Sequence, residues 1–305
     1  MLLDAASLYF RAFYGVPTSV TTPDGRPINA VRGFLDMTAR LLTAHGPDRL
    51  VACWDDDWRP AFRVEALPSY KAHRVASEGE EEVPDELSPQ VPVLVEVLAA
   101  AGVARVGAPG FEADDVIGTL ATRARGPVDI VTGDRDLFQL VDDERGVRVL
   151  YTNRGIADIE TVDEAAVADK YGIPGRAYAD FAVLRGDPSD GLPGVAGVGA
   201  KTAAALIDEF GDLAGIRAAV ARTVVPTAPL TAAVLKKLHA ASDYLDRAPV
   251  VVAVATDIDL PAVEGTLPRS PADPAALAQL AEQHGLQSSL GRLGAALGWP
   301  AGALG

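Results

Sequence analysis

A single cysteine, Cys53, in 305 residues excludes a disulfide scaffold and every zinc or iron–sulfur centre built on cysteine. The four histidines, His45, His73, His239 and His284, never fall at paired ligand spacing, which argues against a zinc enzyme. No apolar run approaches the ~18 residues that a membrane span needs, and the leading MLLDAASLYFR has no signal-peptide pattern. A membrane partner and export therefore fall away. Cations are the other scarcity: 27 Lys and Arg against 42 Asp and Glu leave a formal charge of −15. Taken alone, that number opposes nucleic acid as a partner, because phosphate binding needs positive charge. It does not if the acids are gathered to hold divalent metal, so their positions decide.

What is present suits a globular chain. Hydrophobic residues make up 49% and charged residues 23%, enough for one large domain or two ordinary ones with a sizeable core. Up to about residue 155 the pattern is β/α. The short apolar runs LLDAA, LVACWD, VARVGAP, VDIVTGD and VRVLYT alternate with helical periodicity over Asn29–Ala44, Val93–Ala101 and Ala113–Arg123. Such alternation predicts a mostly parallel sheet covered by helices on both faces. From Thr161 onward short helices punctuated by Gly and Pro dominate, with VVVAVAT (250–256) reading as one added strand. The acidic piece ASEGEEEVPDE (76–86) is poor in large apolar residues and is expected to be mobile. It splits a segment, 58–92, whose first half is cationic through Arg59, Arg63, Lys71 and Arg74.

Position explains the acids. The first strand ends in Asp4 and the second leads to Asp55; FEADD after the third gives Glu112, Asp114 and Asp115; TGDRD after the fourth gives Asp134 and Asp136. In an open α/β sheet the ligand site lies outside the carboxyl ends of the strands, so four strands deliver carboxylates to one rim. Glu112, Asp114 and Asp115 also open a helix, where the dipole favours negative charge. Seven acids on one rim repel unless cations sit between them, and hard divalent ions such as Mg²⁺ or Mn²⁺ are the natural solution. Two such ions about 4 Å apart form the clamp used for phosphodiester hydrolysis. The plainer reading makes each acid an N-cap or turn former; it suits any one of them better than it suits all together. Asp56, Asp57, Asp142 and Asp143 read as solvated turn residues.

The segment GDPSDGLPGVAGVGAKTAAALI (186–207) is the most specific in the chain. Ala200 separates Gly199 from Lys201, so it is not a Walker loop, and it follows a helix rather than the strand that a dinucleotide fingerprint requires. GVAGVG is a tight hairpin opening a helix at Ala200. The backbone N–H groups around Gly194, Gly197 and Gly199, with Lys201 and Thr202 beside them, suit a nucleic-acid phosphate read without regard to sequence. A Gly-rich helix–helix connection without a ligand is the alternative.

Together these residues resemble the 5′→3′ exonuclease and flap endonuclease family, in particular the nuclease portion of bacterial DNA polymerase I. The matching pieces, in family order, are Asp4 in LLDAASLYFRAF, Asp55 in ACWD, SYKAHR (69–74), FEADDVIGTLA, VTGDRDLFQLV and GDPSDGLPGVAGVGAKTA. They span roughly the first 250 residues. The resemblance implies a PIN-like α/β nuclease core over 1–175 with an arch at about 58–92. It implies a helical DNA-binding domain over 176–305, with a helix–three-turn–helix at about 180–210. It adds Asp187 and Asp190 to the rim and makes Lys71 and Arg74 the residues that grip the scissile phosphate. Asp4, Asp55 and Asp114 would hold a first ion; Asp114, Asp134, Asp136 and Asp187 a second; Glu112, Asp115 and Asp190 would act through waters or a further ion. A K⁺ ion at the hairpin carbonyls is also implied. The expected partner is DNA with 5′ ends, flaps or RNA primers, bound by a monomer in the cytoplasm near the nucleoid.

Three departures stand out. Asp4 is followed by Ala5 rather than Gly, Asp190 by Gly191 rather than Asn, and EGEEE makes the arch acidic. A haloacid-dehalogenase-type phosphatase, suggested by WDDDW and GDPSD, needs its nucleophile pair at the first strand, where this chain has Asp4-Ala5-Ala6. A catalytically dead binder of branched DNA would show lost carboxylates, and every expected one is present.

Overall fold

The computed structural model describes residues 1–76, 81–222 and 225–303. Six strands form one sheet: β1 (Leu2–Asp4), β2 (Val51–Cys53), β3 (Ala104–Val106), β4 (Val128–Thr132), β5 (Val147–Tyr151) and β6 (Glu160–Val162). Their order is β3-β2-β1-β4-β5-β6. All neighbours are parallel except β5 and β6. Thirteen α-helices are described. The first five are α1 (Ala5–Gly15), α2 (Asn29–His45), α3 (Ala61–Ala66), α4 (Gln90–Ala101) and α5 (Ala113–Arg123). Then come α6 (Glu164–Tyr171), α7 (Tyr178–Arg185), α8 (Ala200–Phe210), α9 (Leu213–Arg222), α10 (Ala232–Ala240), α11 (Ser242–Val252), α12 (Pro274–His284) and α13 (Gln287–Leu297).

Successive strand residues point to opposite faces, which sorts the core into two layers. Leu2, Val51, Cys53, Ile130 and Val149 face one layer, and Leu3, Ala52, Val131 and Leu150 the other. The first runs without a break into the C-terminal helices. Phe138 sits 5.1 Å from Tyr151 and 5.4 Å from Tyr178, ring centre to ring centre, and Tyr178 meets Phe181 at 5.9 Å. The second is closed by Leu277 of α12, Leu290 and Leu293 of α13, and Trp299 just beyond it, which pack with Phe34 and Leu35 of α2. The last two helices of the expected 176–305 domain thus cover the nuclease core.

One expectation is corrected, and one strand went unread. VVVAVAT is not a strand: Val250–Val252 end α11, which buries Val251 and Val252 and leaves Val250 half exposed at 49%. The pattern is one-sided, as a helix packed against α7 and α3 requires. Conversely, β6 was not legible, because of Glu160, Thr161 and Val162 only Val162 is buried, and no apolar run marks the strand. In the acidic segment, Ser77, Glu78, Gly79 and Glu80 lie outside the described residues. The flanks are paired: Val75 bridges Glu81, and Glu82 donates its N–H to the Arg74 carbonyl at 2.8 Å.

Candidate active site

The rim is built at the carboxyl ends of the strands. Asp4 ends β1 and caps α1: Oδ1 accepts the Ser7 N–H at 3.0 Å, and Oδ2 accepts the Thr132 hydroxyl at 2.7 Å. Thr132, the last residue of β4, accepts the Asp134 N–H at 2.8 Å, and Asp134 accepts that of Asp136 at 2.9 Å. Ser7 accepts the Gly133 N–H at 2.8 Å and ties the same turn to α1. Asp55, two residues beyond β2, accepts the Ala113 N–H at 2.7 Å at the start of α5. Capping and site roles therefore coincide in Asp4. Asp4, Asp55, Glu112, Asp114 and Asp134 line one cavity of about 230 Å³ together with Lys71 and Arg74.

The rim has too few cations. Burial pushes the Asp4 carboxyl up to about 6, and burial followed by the charge of Asp4 pushes Asp55 up to about 7. Asp114 and Asp136 lie well above the usual carboxylate range, through burial first and Asp134 next. Burial raises Asp190 to about 6 against the pull of Lys71. Asp136 Oδ1 is buried with no hydrogen-bond donor. Hard acceptors crowded in this way fit divalent cations. Among the described residues, though, no three His, Cys, Asp or Glu side chains are grouped so that they could hold a metal ion by themselves. An open rim is consistent with Mg²⁺-like ions, which keep waters and take substrate phosphate oxygens rather than an all-protein shell.

Asp115, placed on the rim from sequence, is not there. It is wholly buried, and its carboxylate accepts both Arg63 Nη1 and Nη2 at 2.7 Å and the Ala255 N–H at 2.8 Å. With Glu112 it completes the capping box of α5. Arg63 is 2% exposed and also bonds Glu112 at 2.6 Å and the Val251 carbonyl at 3.0 Å. It cannot meet DNA, contrary to its place in a cationic arch. Glu112 reaches the cavity but is already held by Arg63, Tyr70 and Lys71. Burial opposes the charge of Lys71, yet Glu112 beside it outweighs this and raises the ammonium's pKa.

Arg74 pairs with Asp190 at 2.9 Å. Asp187 holds the Ser189 N–H at 3.0 Å and lies 3.3 Å from both Arg135 and Arg185, so it is partly neutralised where it stands, and it does not line the cavity. In the hairpin, Gly194 (φ +68) passes so close to Arg185 that a Cβ would lie 2.5 Å from its carbonyl oxygen. Gly197 (φ +74) accepts Lys237 Nζ at 2.7 Å. Gly199 caps α8, Lys201 is exposed and Thr202 partly so. Sequence reasoning missed Tyr70 and Lys237, gave Arg63 the wrong role, and left Glu81 in an acidic arch without placing it on the cavity that it lines. Only SYKAHR itself signalled Tyr70.

The model of the 5′-3′ exonuclease N-terminal resolvase-like domain matches residues 1–172, and that of the 5′-3′ exonuclease C-terminal SAM fold matches 173–275. The chain belongs to the 5′-3′ exonuclease family, and it is a nuclease with a mostly parallel core and a helical C-terminal domain. A 5′-3′ exonuclease of Streptomyces coelicolor is 62% identical over 298 residues, covering 96% of this chain and 98% of the relative. One of Mycobacterium tuberculosis is 53% identical over 313 residues, covering 97% of each. A zinc-bound structure of the bacteriophage T5 5′-exonuclease superposes with a TM-score of 0.64 at 17% identity over 97% of both chains, a likeness of fold.

Proposed function

We propose that this chain is a divalent-metal-dependent, structure-selective 5′ nuclease that hydrolyses DNA near the junction of single strand and duplex. The observation that carries the reading is one cavity holding Asp4, Asp55, Asp114 and Asp134, beside Lys71 and Arg74. Asp4, Asp55 and Asp114 would hold one Mg²⁺ or Mn²⁺; Asp114, Asp134, Asp136 and Asp187 would hold or surround a second. When bound, such ions activate a water and stabilise the leaving oxygen. Lys71 and Arg74 orient the scissile phosphate and offset its developing charge. Glu112 keeps Lys71 protonated, and Asp190 does the same service of orientation for Arg74. Gly194, Gly197, Gly199, Lys201 and Thr202 hold duplex backbone, with K⁺ as a candidate ion at the hairpin carbonyls. The substrates are 5′ flaps, nicked or recessed ends and RNA primers, cut by a monomer in the cytoplasm during replication and repair.

The test is digestion of 5′-labelled flap, nicked and blunt duplexes with Mn²⁺ or with EDTA. Cleavage within a few nucleotides of the junction, abolished by EDTA, is expected. Metal-independent cutting, or equal cutting of unstructured single strand, would overturn the reading.

A further inference from the structure

One acid reaches the cavity from outside the strand ends. Glu81 lines it together with Asp4, Asp55, Asp114 and Asp134 and the two cations, Lys71 and Arg74. The backbone explains how. Val75 and Glu81 pair as an antiparallel bridge, and the Glu82 N–H donates to the Arg74 carbonyl at 2.8 Å. The chain therefore returns along the segment that carries both cations. In a paired, extended segment successive side chains point to opposite sides, so Glu81 turns to the cavity while Glu82 is exposed. Burial pushes the Glu81 carboxyl up, against the pull of Lys71 and Arg74 beside it.

Its situation differs from that of the rim acids. Asp4, Asp55 and Asp134 each accept a backbone N–H and are fixed by it. Lys71 is spent on Glu112 and Arg74 on Asp190, and among the described residues Glu81 has no ion pair. An unpaired anion beside the cations that grip phosphate repels any phosphate that comes to them. The strength of that repulsion follows the charge of the incoming group, because Coulomb energy scales with the product of the charges. Hydrolysis of a diester, which carries one negative charge, leaves a phosphate monoester on one product and a hydroxyl on the other. The monoester carries nearly two charges above about pH 7, since its second pKa is about 6. A repulsion that weakens binding of the diester by some factor therefore weakens binding of the monoester by about the square of that factor.

We infer that Glu81 is a specificity-determining residue of this site: its carboxylate opposes phosphate at Lys71 and Arg74, weakly for a diester and strongly for a monoester, and so favours substrate over product. The inference rests on the functional reading above. Discrimination of this kind comes from a repulsive element set against the wrong ligand rather than from a new contact to the right one.

The test is steady-state cleavage of a 5′-flap duplex with Mn²⁺ at about pH 8, with deoxyadenosine 5′-monophosphate as the competing monoester. Glu81→Gln keeps the shape of the side chain and removes its charge. It should raise kcat/KM for the flap about threefold and lower the Ki of the mononucleotide about ninefold, the square of the first change. Glu82→Gln is the control: it removes the same charge one residue on, from an exposed side chain that does not line the cavity, and should move neither value by more than about 1.5-fold. An unchanged Ki in Glu81→Gln, equal factors for flap and mononucleotide, or the same changes in Glu82→Gln would overturn the inference. So would a loss of cleavage in Glu81→Gln that extra Mn²⁺ restores, which would make Glu81 a metal ligand. Wild-type cleavage by a Lys71→Ala, Arg74→Ala double variant would instead overturn the functional reading of those cations, and the role of Glu81 with it.

Discussion

Asp114 and Asp115 are neighbours in the first turn of α5, and their surroundings differ in almost every respect. Asp115 turns into the core, where Arg63 meets it with two nitrogens and backbone N–H groups take its remaining capacity. Asp114 turns into the cavity with Asp4 and Asp134, and burial among like charges drives its pKa well up. The first arrangement holds a fold together. The second keeps unfavourable charge at a site that a bound cation would relieve, which is how a metal site differs from a salt bridge built from the same residue type.

The largest expected effect lies on the paired side. Removing one partner of a buried ion pair costs about 3–5 kcal/mol, so Arg63→Ala should lose about that much stability by denaturant unfolding. On the rim the sign should reverse: Asp114→Asn in metal-free buffer should be no less stable than wild type. A strongly destabilised Asp114→Asn would break the comparison.

A smaller effect follows from pH. The folded chain keeps protons on Asp4 and Asp55 up to about 6 and about 7, against 3.8 for each when unfolded. Raised acid pKa values mean that the unfolded state releases protons first, so these groups lower folding stability as pH rises from about 4 to about 7. Metal-free Tm should therefore fall over that window, and Asp55→Asn should flatten the fall. Because bound metal requires the deprotonated forms, Mn²⁺ should raise Tm more at pH 7.5 than at pH 5. The exposed hairpin gives the smallest change. Lys201→Ala should weaken duplex binding equally for unrelated sequences and reduce the slope of log affinity against log salt by about one. A loss confined to one sequence would remove Lys201 from the backbone contact.

Much of this was legible from residues because the strands are apolar runs that end in acids, and the sheet has only one edge where those ends can converge. Helix α5 was legible to its ends, since FEADD is both cap and rim. The two fates within FEADD were not. Which acid faces the core depends on Arg63, and an arginine in a basic, surface-like stretch carries no sign in sequence that it will be 2% exposed. Asp187 and Asp190 follow a helix rather than a strand, so only family likeness placed them beside the rim. VVVAVAT misled because β-branched residues favour strands locally, whereas burial of one face against α3 and α7 decided for helix.

The central claim is that Asp114, facing the cavity without a cation partner, belongs to a cation site and that its neighbour Asp115, paired with Arg63, does not. A Mn²⁺ titration of Tm at pH 7.5 for wild type, Asp114→Asn and Asp115→Asn tests it most directly. Wild type and Asp115→Asn should gain stability over the same Mn²⁺ range, Asp115→Asn from a lower starting Tm, while Asp114→Asn gains little. An unaltered titration for Asp114→Asn, or loss of the response in Asp115→Asn alone, would contradict the account.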